Sequence, residues 1–525
     1  MKPSLKITLV TAGAVLFNII FWHEKLALNS LFFDVFILWS VFNLYPSAFR
    51  LPVMKWLLAA HLITLAAVLF HNTVLSKIAF CSTLLLVVVF TQYIHRSVWY
   101  AAGSALMNYV LAPGSIFANL KLLRHNKLNF SGVRRSIRFL IIPILLLCAF
   151  FFIYSLANSV FKEMVNDTSL AIEKYFSRFF DWFSWQRFGF LMLGLFITGG
   201  LLLKSSINWF SDAEAKKSDW LTRKKNDLLA WRKTGWFDML TLLMGKVAGG
   251  IMALRNENRT GTISLVLLNV LLLGINIIDI VYVWFGSKYN NDINFSEYVH
   301  EGTGLLIFSI LLAMMLLLFF FRGNLNFYKR NKWLRYGAYA WLLQNSLLVI
   351  SVLLRDYYYI AHDGLAYKRI GVLIFLTLVL AGLITVFIKI YQRKTAYYLL
   401  RVNAWIAIIM LVFCSCIHWD ETIARYNLAK KETIALDVKF LLTLSDKTLP
   451  LLQQNIQVLQ HPIAIPGGEG ESLYRSSYTP LEFFEKRKKE FLEQQEEYSW
   501  LSWNAADEFV SKQLKQPVVT SSASK

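Results

Sequence analysis

The stretch IGVLIFLTLVLAGLITVFIK (370–389) decides the fold, because it carries no charge before its last residue, Lys389. As a helix rising 1.5 Å per residue, a run of this length crosses about 30 Å of hydrocarbon. Water is absent at that depth, so the backbone must satisfy its own hydrogen bonds, and a helix does this within a single segment. The stretch therefore predicts a transmembrane helix.

Similar apolar runs recur along the chain. The sequence is 56% hydrophobic and 17% charged, whereas soluble domains are about 45–50% apolar and about 25% charged. We predict an all-α fold, a polytopic transmembrane helix bundle of about eleven spans with a small C-terminal helical extramembrane region. The predicted spans are 7–22, 27–45, 56–70, 78–94, 139–161, 188–206, 261–285, 302–321, 336–354, 370–389 and 402–418.

The basic residues predict an orientation. With the N-terminus in the cytoplasm, the predicted inner segments carry 30 Lys and Arg residues, and the outer loops before the C-terminal tail carry 10. Lys and Arg accumulate in the cytoplasmic loops of membrane proteins. We therefore predict a multi-pass protein of the cell (inner) membrane with a cytoplasmic N-terminus and a C-terminal tail outside.

The net charge of +21 does not predict nucleic-acid binding, because most of the basic residues lie in short loops and no binding motif accompanies them. Two inner segments, 95–138 and 207–260, are especially basic. Such segments contact anionic lipid headgroups, and they are alternatively a docking surface for a cytoplasmic partner. We expect the lipid bilayer as a partner in either case.

Two further segments resemble spans or surface helices. Trp236–Leu254 is apolar, but Lys246 lies near its middle, and a central lysine is costly in a span. We predict an interfacial or re-entrant helix there. Residues 169–186 alternate apolar and charged faces at helical spacing, which is typical of a helix in the headgroup layer or of one packed against the bundle.

The chain changes character after Asp420, where no further span is predicted. Residues 432–460 predict two short amphipathic helices, and 461–477 a loop rich in Pro and Gly. Thr479-Pro480-Leu481-Glu482 is a capping box that starts a charged helix ending near Trp500. Asn504 and Asp507 indicate another helix start, and we expect the last ten residues to be disordered. The domain boundaries that follow are 1–138, 139–260, 261–420 and 421–525.

Polar residues inside predicted spans are candidates for function, because they are rare and usually face the bundle interior. Asn269, Asn276 and Asp279 share one helix face, and we expect Asp279 to pair with Lys368 or Arg369. The candidate intramembrane polar site comprises Asn269, Asn276, Asp279, Gln344 and Asn345.

A second group of polar residues lies at the predicted outer ends of the spans. This candidate outer-face cluster comprises His300, Glu301, Arg355, Asp363, Lys368, Arg369 and Asp420. The arrangement suits a proton or solute path. It equally suits structural clamps between helix ends, or groups that lie in the wet interface.

Sequence signals for catalysis and metal binding are lacking. The chain contains no HExxH, GxSxG, Walker lysine loop or GxGxxG motif. The cysteines, Cys81, Cys148, Cys414 and Cys416, lie in apolar runs without metal-site spacing. We predict no catalytic residue, no cofactor, no metal site and no disulfide.

Five segments in the second half carry a family resemblance. They are VHEGT (299–303), FFRGNLNFY (320–328), LLQNSLLVISV (342–352), YYIAHDGLAYKRIGV (358–372) and HWDETIARYNL (418–428), and they are followed by a tail of the pattern LD…L…LS (436–445). Together they resemble an uncharacterised bacterial family, the domain of unknown function 4153, and its close relative 4173. The resemblance implies a multi-pass inner-membrane protein and no particular activity. The family often has an aromatic residue before Gly-Leu-Thr, where this chain has Asp363, Gly364, Leu365 and Ala366.

Three functions are compatible with these observations. The first, which we favour, is a non-enzymatic sensor, scaffold or envelope-complex component that binds a protein partner through its tail or basic loops. The second is a secondary transporter or ion-coupled permease that uses the intramembrane polar residues. The third is a membrane-embedded transferase that acts on lipid-linked substrates through the outer-face cluster.

Overall fold

A computed structural model describes residues 3–123, 184–223, 253–284, 295–321, 324–434, 436–460 and 479–516, with single positions between 143 and 165. Across these ranges the fold is helical and contains no β-strand. The chain divides into two compact units. The first comprises Met1–Glu24, Phe32–Pro46 and Ala105–Ile207, and the second comprises Lys25–Leu31, Ser47–Ser104 and Asn208–Lys525.

The helices before the tail are numbered in chain order. They are α1 (Pro3–Phe21), α2 (Leu28–Leu44), α3 (Pro52–Phe70), α4 (Val74–Gln92), α5 (Val98–Leu123), α6 (Trp185–Leu202), α7 (Trp209–Ala215), α8 (Ala253–Asp279), α9 (Phe295–Phe320), α10 (Lys332–Asp363), α11 (Tyr367–Gln392) and α12 (Ala396–Ser415). Helix α8 continues as a π-helical turn, Ile280–Trp284.

Ten of these twelve helices overlap predicted spans. Seven of the described helices are long and apolar enough to cross a membrane, namely α3, α4, α6, α8, α10, α11 and α12. Three shorter apolar helices, Leu5–Phe21, Leu28–Leu44 and Gly304–Phe320, occupy the positions of three more predicted spans. Three predicted segments lie outside the described residues: the span 139–161 apart from single positions, Trp236–Leu254 up to α8, and the amphipathic stretch before residue 184.

One assignment is corrected by the structure. We predicted a basic loop over 95–138, but Val98–Leu123 forms the helix α5. The basic residues that suggested a loop are concentrated after residue 123, whereas Val98–Leu123 has only Lys121. Polar Asn108 and the helix-interior Pro113 lower the hydropathy of α5. A search for long apolar runs therefore does not predict this helix.

In the first unit, α1 packs closely against α6. Thr198 Oγ1 donates a hydrogen bond to the carbonyl oxygen of Val10, 3.1 Å away on the other helix. A Cβ atom at Gly194 would lie 3.0 Å from the carbonyl oxygen of Ala14. Small residues allow such close approach between helices where apolar burial cannot drive their association.

In the second unit, α8–α11 share one apolar core, to which Leu265, Leu317, Leu334 and Leu376 contribute fully buried side chains. Other apolar side chains of the same helices are exposed, including Val270 at 66% and Leu305 at 73%. Extended exposed apolar surface is unusual on a soluble protein. Apolar residues on both faces of the helices are typical of a bundle surrounded by lipid.

The tail forms a compact helical body, which we call the cap (residues 419–460 and 479–516). Its helices are α13 (Trp419–Ala429), α14 (Val438–Thr443), α15 (Leu449–Gln454), α16 (Pro480–Glu497) and α17 (Ala505–Lys515). The capping box of Thr479 and Glu482 is confirmed, as is the Asn504 cap on the amide of Asp507. Residues 461–478 and 517–525, the predicted loop and disordered end, lie outside the described residues.

The cap has its own hydrophobic core. Leu441, Leu449 and Phe484 are fully buried within it, and Val510 from α17 packs against the same cluster. Ile370, in the first turn of α11, belongs to this core as well. The cap is therefore packed directly onto the end of a candidate span rather than extending away as an arm.

Candidate functional site

The predicted intramembrane residues form a polar seam between α8 and α10. Asn269 donates to the carbonyl oxygen of Gly337 at 3.0 Å, and Gln344 donates to Asn269 Oδ1 at 2.8 Å. Asn276 donates to the carbonyl oxygen of Gln344 at 3.2 Å. Successive contacts are seven residues apart on both helices, so α8 and α10 run parallel with heptad-like spacing.

The seam ends in a buried ion pair. Arg355 donates to Asp279 Oδ1 at 2.5 Å, and Ser351 donates to Asp279 Oδ2 at 2.7 Å. We expected Lys368 or Arg369 as the partner of Asp279, and this was wrong. Those residues start the next helix, whereas Arg355 lies on α10, beside α8. Because both oxygens of Asp279 are occupied, the geometry is typical of a structural clamp between parallel helices.

Asn345 is separate from this seam. Its side-chain amide donates to the carbonyl oxygen of Trp341 in its own helix, 2.7 Å away. The structure therefore brings together Asn269, Asn276, Asp279 and Gln344 and leaves Asn345 out.

The predicted outer-face residues separate into several groups. Arg355 belongs to the seam. Asp363, Lys368 and Arg369 line one cleft of about 530 Å³ at the turn between α10 and α11. His300 and Glu301 lie in the first turns of α9, and their side chains lie outside the described part of the structure.

Arg369 is the most constrained side chain of the cleft. One of its guanidinium nitrogens donates to the carbonyl oxygens of Asp363, 2.8 Å away, and of Gly364. Its guanidinium carbon lies 3.9 Å from the centre of the Tyr359 ring. This cation–π contact and the two hydrogen bonds hold the guanidinium group beside the α10–α11 turn.

The cap supplies the opposite wall of the cleft. The side-chain amide of Asn427 makes two hydrogen bonds to the backbone of Leu365 in the turn. Its oxygen accepts from the Leu365 amide at 2.7 Å, and its nitrogen donates to the Leu365 carbonyl oxygen at 2.9 Å. The Asp437 side chain accepts from the amide of Phe440 at 2.9 Å. The cleft is thus enclosed by a helix turn and by the cap.

Gly364 makes this close approach possible. Its φ is +82°, and a Cβ atom there would lie 2.7 Å from Asn427 Oδ1. A side chain would therefore be strained by the backbone and obstructed by the cap.

Asp420 connects the cleft to a second polar group. It accepts a hydrogen bond from the hydroxyl of Tyr367, a residue that lines the cleft. Two residues earlier, His418 is the N-cap of α13, and its Nδ1 accepts from the amide of Glu421 at 3.1 Å. The predicted Asp420 therefore lies between the cleft and the contact described next.

A latch, which sequence reasoning missed, ties the cap to the turn between α3 and α4. We define it as Lys447, His71, Asn72 and His418. Lys447 donates to the carbonyl oxygens of His71 and of Asn72, the latter at 2.6 Å. The rings of His71 and His418 are 6.0 Å apart. These residues are far apart in sequence, and no local sequence pattern predicts their contact.

The latch has perturbed acid–base properties. Burial lowers the pKa of Lys447 to about 8, and the charges of Lys77 and Lys25 act in the same direction. Burial also lowers the pKa values of His71 and His418, with Lys447 adding to the effect on both. The latch therefore contains three groups whose charged forms are disfavoured by folding.

A second missed cluster surrounds Glu214. His95 Nδ1 lies 2.6 Å from Glu214 Oε2, and His95 Nε2 lies 2.8 Å from Ser104 Oγ. Glu214 Oε1 accepts from the Tyr397 hydroxyl and from the amide of Ser97. Burial raises the pKa of Glu214, but the hydrogen bonds from His95 and Tyr397 outweigh it, so the pKa lies below its ordinary value.

The hydroxyl–imidazole–carboxylate order of this cluster resembles that of serine hydrolases. Here Ser104, His95 and Glu214 are all buried, and the carboxylate is saturated by other donors. An ion pair joins the same two parts of the chain, because Arg401 on α12 pairs with Asp219, just after α7, at 2.7 Å. We interpret the cluster as a structural tie between the α4–α5 turn, α7 and α12.

Comparison with known proteins gives one family. A family model described as "Domain of unknown function (DUF4153)" matches residues 12–455. The match begins in α1, so it extends from the five segments of the second half into the first half of the chain. No curated protein matches, and no solved structure matches. Among the described residues, no group of three or more His, Cys, Asp and Glu side chains could hold a metal ion.

Proposed function

Because the chain belongs to the DUF4153 family, whose description records no activity, we propose its function from its geometry. The protein is a non-enzymatic, multi-pass component of the cell (inner) membrane that acts as a sensor or scaffold in the envelope. Its N-terminus is cytoplasmic, and the cap is displayed outside. The cap is the part that meets a protein partner.

The observation that carries this proposal is the attachment of the cap to the membrane helices. Ile370 of α11 is part of the cap core, Asn427 holds the α10–α11 turn, and Lys447 holds the α3–α4 turn. A partner that displaces the cap would therefore act on the ends of four helices. Such coupling is what a sensor or an assembly platform requires.

The distribution of basic residues supports the orientation. The predicted inner segments carry three times as many Lys and Arg residues as the outer loops. The cap, the α3–α4 turn and the α10–α11 turn all belong to the side with fewer basic residues. On this orientation the Glu214 cluster is cytoplasmic.

Site-specific photocrosslinking in intact cells tests the partner. A photoreactive residue is placed at exposed Glu485 in one variant and at exposed Lys489 in another, both on α16. Each variant should give one discrete crosslinked adduct, and the two adducts should have the same mass. The matched control is the same residue at exposed Lys216, which lies on the predicted cytoplasmic side. Introducing Phe484→Asp, which disrupts the cap core, should abolish the cap adduct. Absence of any cap adduct, or an adduct that survives Phe484→Asp, contradicts the proposal.

A second candidate function is a membrane-embedded transferase acting on lipid-linked substrates. The charged cleft at the ends of α10 and α11 is the observation that favours it. Mass spectrometry of lipids from cells that overproduce the protein tests it. A modified lipid-linked species that depends on Lys368 would support a transferase. Lipid profiles that are identical for wild type and Lys368→Gln would contradict it.

A further inference from the structure

The cleft lies at the adjoining ends of two candidate membrane spans, α10 and α11, and lipid headgroups are expected at the ends of spans. Tyr357, Tyr358 and Tyr367 surround the α10–α11 turn with exposed rings, and the ring of Tyr359 lines the cleft itself. Tyrosine is enriched at the boundary between hydrocarbon and water, because its ring is apolar and its hydroxyl is polar. The cleft is therefore reached from the interface of the bilayer.

The cleft contains groups that are suited to binding phosphate. Lys368 is exposed and forms no ion pair within the described part of the chain, whereas Arg369 lies 3.9 Å from Asp363 Oδ2. Arg369, beside Lys368, is held over Tyr359. Both residues are in the first turn of α11, whose N-cap residue, Ala366, provides no side-chain hydrogen bond. Two cations and the amide end of a 26-residue helix together favour an anionic group.

The same cleft also contains two carboxylates. Asp363 lies on the turn, and Asp437 lies on the cap wall opposite. Two carboxylates offset the two cations, so the cleft has no net attraction for a ligand that is only anionic. They favour an ammonium group, and the neighbouring aromatic rings favour it further. The remaining wall is apolar, formed by Leu365, Ala366, Ile434, Leu436 and Phe440.

We infer that the cleft binds a phosphodiester that carries an ammonium group, the chemistry of a zwitterionic phospholipid headgroup. Lys368 holds the phosphate, Asp363 and Asp437 hold the ammonium, and the apolar wall receives the start of the acyl chains. The inference deepens the proposed function, since it rests on the same cap and places a lipid beneath it. The partner-binding face on α16 is not part of this cleft.

Native mass spectrometry of the full-length protein in detergent tests the inference, with phosphatidylethanolamine and phosphatidylglycerol as probes. Wild type should retain one phosphatidylethanolamine with at least about tenfold higher affinity than phosphatidylglycerol. Lys368→Gln should weaken that binding by about tenfold, while Lys488→Gln on α16 should leave it unchanged. Asp437→Asn should reduce the preference for phosphatidylethanolamine.

Soluble glycerophosphoethanolamine distinguishes the source of the headgroup. If it displaces the bound lipid, the headgroup alone is recognised; if it does not, the acyl chains are required, and both results support the assigned chemistry. Equal binding of the two lipids, or binding insensitive to Lys368→Gln, overturns the inference. Thermal unfolding of each variant verifies its fold. Crosslinking from Glu485 or Lys489 should be unaffected by Lys368→Gln, so failure here is distinguishable from failure of the proposed function.

Discussion

The ammonium group of Lys447 donates a hydrogen bond to the carbonyl oxygen of Asn72, 2.6 Å away, although the two residues are 375 positions apart. Lys447 lies in the cap and Asn72 in the turn between α3 and α4. This contact joins the cap to an early pair of candidate membrane spans. Burial lowers the pKa of Lys447 to about 8. The protonation state of the group that makes this contact therefore changes at mildly alkaline pH.

The first prediction concerns alkaline pH. In the unfolded chain Lys447 keeps its proton up to about 10.5, whereas in the folded protein it loses it near 8. Between these values the unfolded state binds more protons, so the contribution of Lys447 to the free energy of unfolding rises with pH. Wild type should therefore gain stability relative to Lys447→Met between pH 8 and 10.5, measured by denaturant unfolding in detergent.

The control for this experiment is Lys512→Met, because the side chain of Lys512 is 72% exposed. Relative to that variant, wild type should show no comparable gain over the same pH range. A flat difference between wild type and Lys447→Met would contradict the buried, hydrogen-bonded position of Lys447.

The second prediction concerns acid. The pKa values of His71 and His418 are lowered from 6.5, so below pH 6.5 the unfolded state takes up protons that the folded state does not. Stability should therefore fall as the pH decreases from 6.5 through the folded-state pKa values. His418→Asn keeps an N-cap residue for α13 and removes one titrating group. This variant should lose less stability than wild type between pH 7 and pH 5, and an equal loss would contradict the assignment.

The third prediction tests the ion pair between Asp279 and Arg355 as a structural clamp. Asp279→Leu leaves Arg355 buried without its counter-charge and should cost roughly 3–5 kcal/mol, and Arg355→Met leaves Asp279 buried in the same way. The double variant Asp279→Leu/Arg355→Met removes both charges and should recover most of that loss. A double-mutant cycle by denaturant unfolding measures the coupling. Additive effects would show that the two side chains are independent in the folded protein.

The fourth prediction uses two glycines near the cleft. Gly364→Ala should destabilise the protein by more than about 1 kcal/mol, because φ is +82° and the new Cβ would meet Asn427. Gly371→Ala, four residues into α11, meets no atom within 4 Å and should stabilise by about 0.5–1 kcal/mol. Thermal unfolding compares the two variants. Equal effects would contradict the described turn.

Much of the bundle is predictable from the sequence. Apolar length alone locates helices such as α11, because the bilayer demands a minimum run of apolar residues. The ends are less predictable: α10 runs from Lys332 to Asp363, beyond the predicted 336–354. Arg355 is accommodated because it pairs with Asp279 across the seam, which a hydropathy profile does not reveal.

The polar seam was partly predictable. Helical periodicity placed Asn269, Asn276 and Asp279 on one face, and the structure shows this face against α10. The partner of Asp279 was not predictable, since it depends on which helices are neighbours. Parallel packing of α8 and α10 selects Arg355 over Lys368.

The latch and the Glu214 cluster were not predictable. Lys447, His71 and His418 come from separate segments, and each is a single polar residue without a local pattern. The same is true of Glu214, His95 and Tyr397. Such contacts are fixed by tertiary packing, whereas the helix starts at Thr479 and Asn504 are fixed by local hydrogen bonds and could be predicted.

The central claim of our proposal is that the cap and its cleft lie on the outer side of the membrane, and the Glu214 cluster on the cytoplasmic side. The most direct test is labelling of single cysteines, after replacement of the four native ones by serine, with a membrane-impermeant maleimide on intact spheroplasts. Exposed Lys489→Cys on α16 should be labelled at once, and exposed Lys216→Cys only after permeabilisation. Labelling of Lys216→Cys in intact spheroplasts, with Lys489→Cys protected, would contradict the orientation and the account built on it.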